Sequence, residues 1–184
     1  MNRAADVAIA GGALLLASPI LAVAALAVKL GGGGPVLYRQ TRVGKDGVGF
    51  ELLKLRTMVV GAETKGAGYA VDKGDSRITR PGSVLRRLSL DELPQLWNVL
   101  RGEMSLVGPR PPLLSEVANY DAWHRRRLSM KPGMTGLWQV DGRNEQEFDR
   151  WVETDLEYID TWSLWLDFKI IARTVPAVLV GTGR

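Results

Sequence analysis

Arg80-Pro-Gly-Ser-Val-Leu-Arg-Arg-Leu-Ser-Leu-Asp-Glu-Leu-Pro-Gln-Leu-Trp-Asn-Val-Leu-Arg-Gly-Glu-Met-Ser-Leu-Val-Gly-Pro-Arg-Pro-Pro112 sets two adjacent carboxylates, Asp91 and Glu92, between Arg86-Arg87 and Arg110. Ser89-Leu-Asp-Glu92 has the spacing of a capping box, which predicts a helix from near Ser89 to Leu100 after a shorter one over about Ser83 to Leu88. Pro94 is best tolerated in a first turn, which allows a start one or more residues later. Either register leaves both carboxylates in or beside the first turn. A helix start favours an anion and the arginines attract phosphate, so Asp91 is expected to stay ionised near a phosphate.

Adjacent helical residues point ~100° apart, so the pair is a poor glycosidase dyad, whose carboxylates face each other across the substrate. One carboxylate attacking while its neighbour helps hold a metal or tune the charge fits adjacency better. On these residues alone the plainer reading, a helix cap worth ~1 kcal/mol, outweighs a site. Arg86 and Arg87 read first as a solvated basic face. Arg110 lies between prolines, where a stiff backbone lowers the entropy cost of aiming a guanidinium.

Upstream, no charged residue lies between Val7 and Val28. As a helix this run measures ~33 Å, against a hydrocarbon core of ~30 Å. Ser18-Pro19 in its middle predicts a bend, because proline removes a backbone donor and clashes with the turn before it. A spanning anchor and a re-entrant segment with both ends on one face are evenly matched. Arg3 precedes the run and Lys29, Arg39, Arg42 and Lys45 follow it, so no charge asymmetry orients it. A cleaved signal peptide ending near Ala22-Val23-Ala24 fits least, since the apolar run continues past that site.

Gly31 to Pro35 reads as a flexible joint. Val36 to Met58 alternates as a β-hairpin with Asp46-Gly47 in its turn. Residues 61–76 read as an exposed loop. Leu113 to Met130 is expected to be helical, and Lys131 to Asn144 a glycine-punctuated loop enclosing a short strand. Helices over about Glu145 to Ile159 and Leu164 to Val180 complete the chain. The last, with Trp162, Trp165, Phe168, Lys169 and Arg173 on or beside it, has the mix of aromatics and cations of an interfacial helix. Trp97 and Trp151 are expected in the core. Gly47 and Gly49 lack the strand-to-helix context of a nucleotide loop.

Composition narrows the chemistry. The chain of 184 residues is about one domain long, carries a net charge of +4 and has no cysteine, which excludes disulfides and thiolate metal sites. His124 is the only histidine. Catalysis must then rest on carboxylates, Arg, Lys, hydroxyls or a metal held by oxygen, which favours Mg²⁺. The surplus charge suits nucleic acid, anionic lipid or a phosphorylated metabolite. A membrane-tethered basic binding module without catalysis is the rival reading.

Together the motifs resemble the bacterial sugar transferase family, the monotopic phosphoglycosyl transferases, and their exopolysaccharide and O-antigen branch in particular. They are the apolar segment with Ser18-Pro19; Tyr38-Arg-Gln-Thr-Arg-Val-Gly; Phe50-Glu-Leu-Leu-Lys-Leu-Arg-Thr-Met58; Asp75-Ser-Arg-Ile-Thr-Arg80; Leu85 to Gln95; Asn98 to Pro111; Lys131 to Asn144; and Trp162-Ser-Leu-Trp-Leu-Asp-Phe-Lys. The match covers nearly the whole chain. Many members of that branch carry a further N-terminal membrane region, so the chain is expected to be a minimal enzyme or an excised catalytic domain.

The resemblance implies an α+β, mostly helical fold: a re-entrant membrane helix over 1–30 broken at Ser18-Pro19, then a catalytic domain over 31–184 with a small β-hairpin and interfacial helices. It implies transfer of a sugar-1-phosphate from a UDP-sugar to undecaprenyl phosphate, with release of UMP, at the cytoplasmic face of the bacterial inner membrane. By that match Asp91 is the nucleophile and Mg²⁺ ligand and Glu92 its partner. Lys54, Arg56, Arg86, Arg110 and Arg143 bind substrate. Membrane phospholipid is an expected partner, nucleic acid is not, and a homo-oligomer is compatible with the interfacial helices.

Overall fold

The structure, a computed structural model, describes residues 2–32, 34–64, 74–141 and 148–179. The apolar N-terminal run forms one helix, α1 (Arg3–Gly32). It is continuous through Ser18 and Pro19, where a break into two was expected. Pro19 has no N–H to offer the carbonyl of Leu15, but the Ser18 hydroxyl donates to that carbonyl at 2.7 Å and fills the gap in the ladder.

Both ends of α1 pack on the same body. Near its start, Ala10, Ala13 and Leu14 join a core with Leu96, Val99 and Met104. Near its end, Ala24 and Val28 pack with Leu55 and Leu85. Its first turn is fastened by polar contacts: buried Asp6 accepts from the Ser105 hydroxyl and the Leu106 N–H, each at 3.0 Å. Arg3 donates to the carbonyls of Val99 and Leu100. Leu15, Leu16, Val23, Leu26 and Leu30 stay 60% to 79% exposed.

The alternating segment forms the expected hairpin. Strands β1 (Leu37–Val43) and β2 (Gly49–Leu55) pair antiparallel, with Val43 opposite Gly49. Asp46 (φ 57°) and Gly47 (φ 81°) turn the chain. Phe50, Leu52 and Leu55 of β2 are buried. Part of the loop expected over 61–76, residues 65–73, lies outside the described residues.

Helix α2 (Arg80–Arg87) begins earlier than expected because Thr79 caps it, accepting from the Gly82 N–H at 3.1 Å, and Pro81 sits in the first turn. A Cβ on Gly82 would lie 2.0 Å from the Thr57 carbonyl oxygen, so only glycine lets α2 approach the end of the hairpin. The helix expected from Ser89 does not start there. Ser89 is left-handed (φ 53°) and makes no side-chain cap; Leu90–Glu92 is a single 3₁₀ turn, and α3 (Gln95–Arg101) begins only after Pro94. The capping box fails because its first residue lacks the extended backbone a cap requires.

Strand β3 (Ser105–Val107) pairs in parallel with β4 (Gly133–Thr135). The helix expected over Leu113 to Met130 is divided into α4 (Leu114–Ala118), α5 (Ala122–Arg125) and a 3₁₀ turn, Arg126–Ser129. Asp121 makes the division by capping α5, accepting from the His124 N–H at 2.9 Å. Part of the expected loop after Lys131 is helical, α6 (Leu137–Asp141). Helices α7 (Phe148–Asp160) and α8 (Leu164–Leu179) lie where the sequence puts them. Trp97 corrects its expectation, being 50% exposed on α3. Trp151 is half-buried beside Trp138.

Candidate active site

A cavity of about 440 Å³ opens where β1, β2, α2 and the proline-rich segment after β3 meet. Lys54, Arg56, Arg86, Asp91 and Arg110 all line it, so residues spread over the sequence converge on one space. Glu92 does not line it but meets Lys54, which does. Arg143 lies outside the described residues.

Asp91 is carried by the 3₁₀ turn and is 7% exposed. Burial pushes its carboxyl up to about 6, helped by the neighbouring Glu92 and opposed by Lys54 and Arg86. The helix start expected to hold it ionised is not there, since α3 begins a turn later. At pH 7 the carboxylate still predominates, and it is poorly solvated.

The cations around it are each fixed by a second group. Lys54 donates to Glu92 at 2.7 Å, which gives Glu92 a partner that spacing along the chain does not reveal. Arg86 donates to the Thr57 hydroxyl at 3.0 Å, a contact that the close approach at Gly82 makes possible. Arg56 donates to the Pro35 carbonyl at 2.9 Å and lies over the Tyr38 ring. Arg110 pairs with Glu116 at 3.3 Å, while the other Glu116 oxygen accepts the Leu113 N–H at 2.6 Å. Asp75 grips the buried Arg77, whose guanidinium also donates at 2.9 Å to the carbonyl of Ala62, a lining residue.

Arg42, Tyr38, Gln40 and Glu116 also line the cavity and were missed as site residues. Period-two alternation along β1 was available to find the first three, since Tyr38, Gln40 and Arg42 share one face of the strand. With Arg42 and Glu63 counted, five cations face three carboxylates among the described residues, which makes the cavity attractive to an anion.

Among the described residues no group of three or more His, Asp or Glu side chains forms a metal cage. A desolvated oxygen donor such as Asp91 does suit Mg²⁺ in the mode where one carboxylate binds and substrate phosphates and water complete the shell.

On the far side of the same wall lies an apolar groove of about 550 Å³ between the second half of α1 and α2. Pro19, Val23, Ala27, Val84, Leu85 and Leu90 line it. Leu85 and Leu90 face the groove, while their chain neighbours Arg86 and Asp91 face the cavity.

Fold and site together define an α+β domain that joins a long apolar helix to an anion-attracting cavity around one buried carboxylate. The chain belongs to the bacterial sugar transferase family, whose model matches residues 1–181. It is 46% identical over 186 residues to a UDP-glucose:undecaprenyl-phosphate glucose-1-phosphate transferase of Caulobacter vibrioides, covering 97% of this chain and 69% of that protein. It is 42% identical over 196 residues to the exopolysaccharide production protein ExoY of Rhizobium meliloti, covering 99% and 87%. It is 47% identical over 162 residues to the galactosyl transferase CpsE of Streptococcus agalactiae, covering 82% of this chain but 36% of that protein. The chain thus spans about a third of one such relative and most of the others.

Proposed function

We propose that this chain transfers a sugar-1-phosphate from a UDP-sugar to undecaprenyl phosphate, releasing UMP, as the first membrane step of an exopolysaccharide, O-antigen or capsule glycan. The observation that carries the reading is a buried carboxylate with a raised pKa inside a cationic cavity, backed by an apolar groove. The name of the Caulobacter vibrioides relative carries the same donor and acceptor classes, and that of the Rhizobium meliloti relative carries exopolysaccharide production.

The Asp91 carboxylate attacks the β-phosphorus of the donor. A bond forms from the carboxylate oxygen to phosphorus, the bond from phosphorus to the bridging oxygen breaks, and UMP leaves with the electron pair. A phosphate oxygen of the acceptor then attacks the same phosphorus, and Asp91 departs as a carboxylate. Arg86, Arg110, Lys54 and Arg56 offset the repulsion between attacking carboxylate and diphosphate and stabilise the charge that grows on UMP. Arg143 is retained as a further phosphate ligand. Glu92 holds Lys54 in place. Mg²⁺, bound through Asp91 and the diphosphate, would supply additional charge neutralisation. Two half-reactions make the kinetics ping-pong.

Residues 1–30 are the membrane element and 31–184 the catalytic body. The docking of both ends of α1 on one body, with exposed leucines between, supports the part of the re-entrant reading in which the helix does not cross to the far side, while its ladder stays unbroken at Pro19. Exposed Trp165 and Phe168 on α8, with Lys169 over the Trp165 ring at 5.6 Å, support an interfacial helix at the cytoplasmic face of the inner membrane. The acceptor's polyprenyl chain lies in the apolar groove, within reach of the wall that carries Asp91. A binding module without catalysis has no use for a desolvated carboxylate among arginines.

The test is UMP release over a panel of UDP-sugars with undecaprenyl phosphate, with and without Mg²⁺. Release that depends on Asp91 supports the reading; release unchanged in Asp91→Asn overturns it.

A further inference from the structure

The segment Pro109-Arg-Pro-Pro112 carries Arg110 into the cavity, and its backbone is held in an uncommon way. Three of its four residues are prolines without an N–H, so carbonyls must do most of the fastening. All four carbonyls are engaged. The Gly133 N–H donates to Pro109 at 2.9 Å and the Val43 N–H to Pro112 at 3.0 Å. Between them, Arg127 donates to the Arg110 carbonyl at 3.4 Å and Arg42 to the Pro111 carbonyl at 3.0 Å. Side chains thus take the place of a strand partner at the two central positions.

Arg127 is the more informative of the two because it does not line the cavity. Its side chain is 3% exposed, against 1% for Asp155, which it meets at 2.6 Å. It also donates to the Tyr120 hydroxyl at 2.6 Å, with its guanidinium over the Tyr120 and Phe148 rings. Asp155 on α7 and Tyr120 therefore fix the guanidinium, and the guanidinium fixes the main chain at Arg110. Stability alone does not require such a pair, since well-packed apolar residues replace a buried ion pair at little or no loss.

We infer that Arg127, held by Asp155, is a positioning residue for the donor half-reaction: it acts through the Arg110 carbonyl to aim the Arg110 side chain at the substrate phosphates. This rests on the reading of the cavity given under Proposed function. A displacement of about 1 Å in a phosphate-binding group costs on the order of 10²-fold in rate, so the effect is measurable.

The experiment uses the full chain in detergent or nanodiscs, with UMP release as readout and thermal unfolding as control. The double variant Arg127→Met/Asp155→Leu removes the pair and leaves an apolar replacement. It is expected to unfold within a few degrees of wild type, yet to show a donor KM raised roughly tenfold and a donor kcat/KM lowered about 10- to 100-fold, with the acceptor KM unchanged. In an Arg110→Gln background the same double change is expected to add nothing further, because the route through Arg110 is already lost. Arg127→Lys, which keeps the charge but cannot reach Asp155, Tyr120 and the carbonyl together, is measured alongside and is expected to raise the donor KM as well. Wild-type donor KM in both the double variant and Arg127→Lys overturns the inference, as does a loss that adds in full to that of Arg110→Gln. Failure of wild type to release UMP from any UDP-sugar overturns the underlying functional reading instead, so the two failures are distinct.

Discussion

The cavity and the groove share one wall, residues 84–91, and differ in almost every property. One is lined by arginines around a buried carboxylate; the other is lined by proline, alanine, valine and leucine. Neighbouring residues reach different sides because successive side chains diverge by ~100° on an α-helix and ~120° on a 3₁₀ turn. Leu85 and Arg86 on α2, then Leu90 and Asp91 on the 3₁₀ turn, are sorted in this way. On the proposed function, such a wall brings a water-soluble phosphate and an apolar chain within reach of the proposed nucleophile, Asp91, without mixing their surroundings.

The largest effect should come from the residue on which the cavity turns. Asp91→Asn is expected to lower UMP release at least ~10³-fold. The same variant should leave the protein more stable at pH 7, by on the order of 2 kcal/mol, because a buried charge is removed. Calorimetry or thermal unfolding checks the second part, and a loss of stability would make Asp91 a structural residue. Arg86→Gln should cost ~10²-fold in donor kcat/KM, read by UMP release, if its guanidinium stabilises the leaving group.

The pH dependence follows from the raised carboxyl of Asp91, at about 6. In activity, donor kcat/KM should rise with pH through about 6 and fall tenfold per unit below it, since only the carboxylate attacks. In stability the sign is opposite. The native state binds the proton more tightly than the unfolded chain, so the cost of the buried charge begins to shrink as pH falls below about 6 and is gone only below the ordinary carboxyl value of 3.8. Wild type should therefore gain stability from pH 7 toward pH 5 relative to Asp91→Asn, a difference that paired unfolding curves measure.

The groove should answer differently. Val84→Trp, which narrows it, is expected to reduce transfer to undecaprenyl phosphate about tenfold, in line with the loss of a few buried methylenes. UMP release in the absence of acceptor should stay at wild type. If both half-reactions fall together, the two faces of the wall are not independent. The smallest effect concerns the link between the faces: Ser89 is left-handed, so Ser89→Gly should stabilise by about 1 kcal/mol with activity retained.

Parts of this arrangement were legible in the sequence. Alternation and an Asp-Gly turn placed the hairpin, the last two helices were read close to α7 and α8, and the motifs named Lys54, Arg56, Arg86, Asp91 and Arg110, which do meet in one cavity. Other parts depended on backbone angles or on distant partners. The capping box at Ser89 had the right letters, but a left-handed Ser89 cannot cap. Asp121 divided a helix that its apolar pattern alone would continue. Glu92 found Lys54, and Arg127 found Asp155, across separations that no local window covers. Burial, which sets the carboxyl of Asp91, exists only once the chain has folded.

The central claim is that Asp91 becomes covalently attached to the phosphosugar before the acceptor arrives. Intact-mass and peptide mass spectrometry of the protein after incubation with a UDP-sugar and Mg²⁺, without undecaprenyl phosphate, measures it most directly. The expected result is one equivalent of UMP released and a sugar-phosphate adduct on the peptide containing Asp91, discharged when undecaprenyl phosphate is added. UMP release only in the presence of acceptor, or an adduct on another residue, would contradict it.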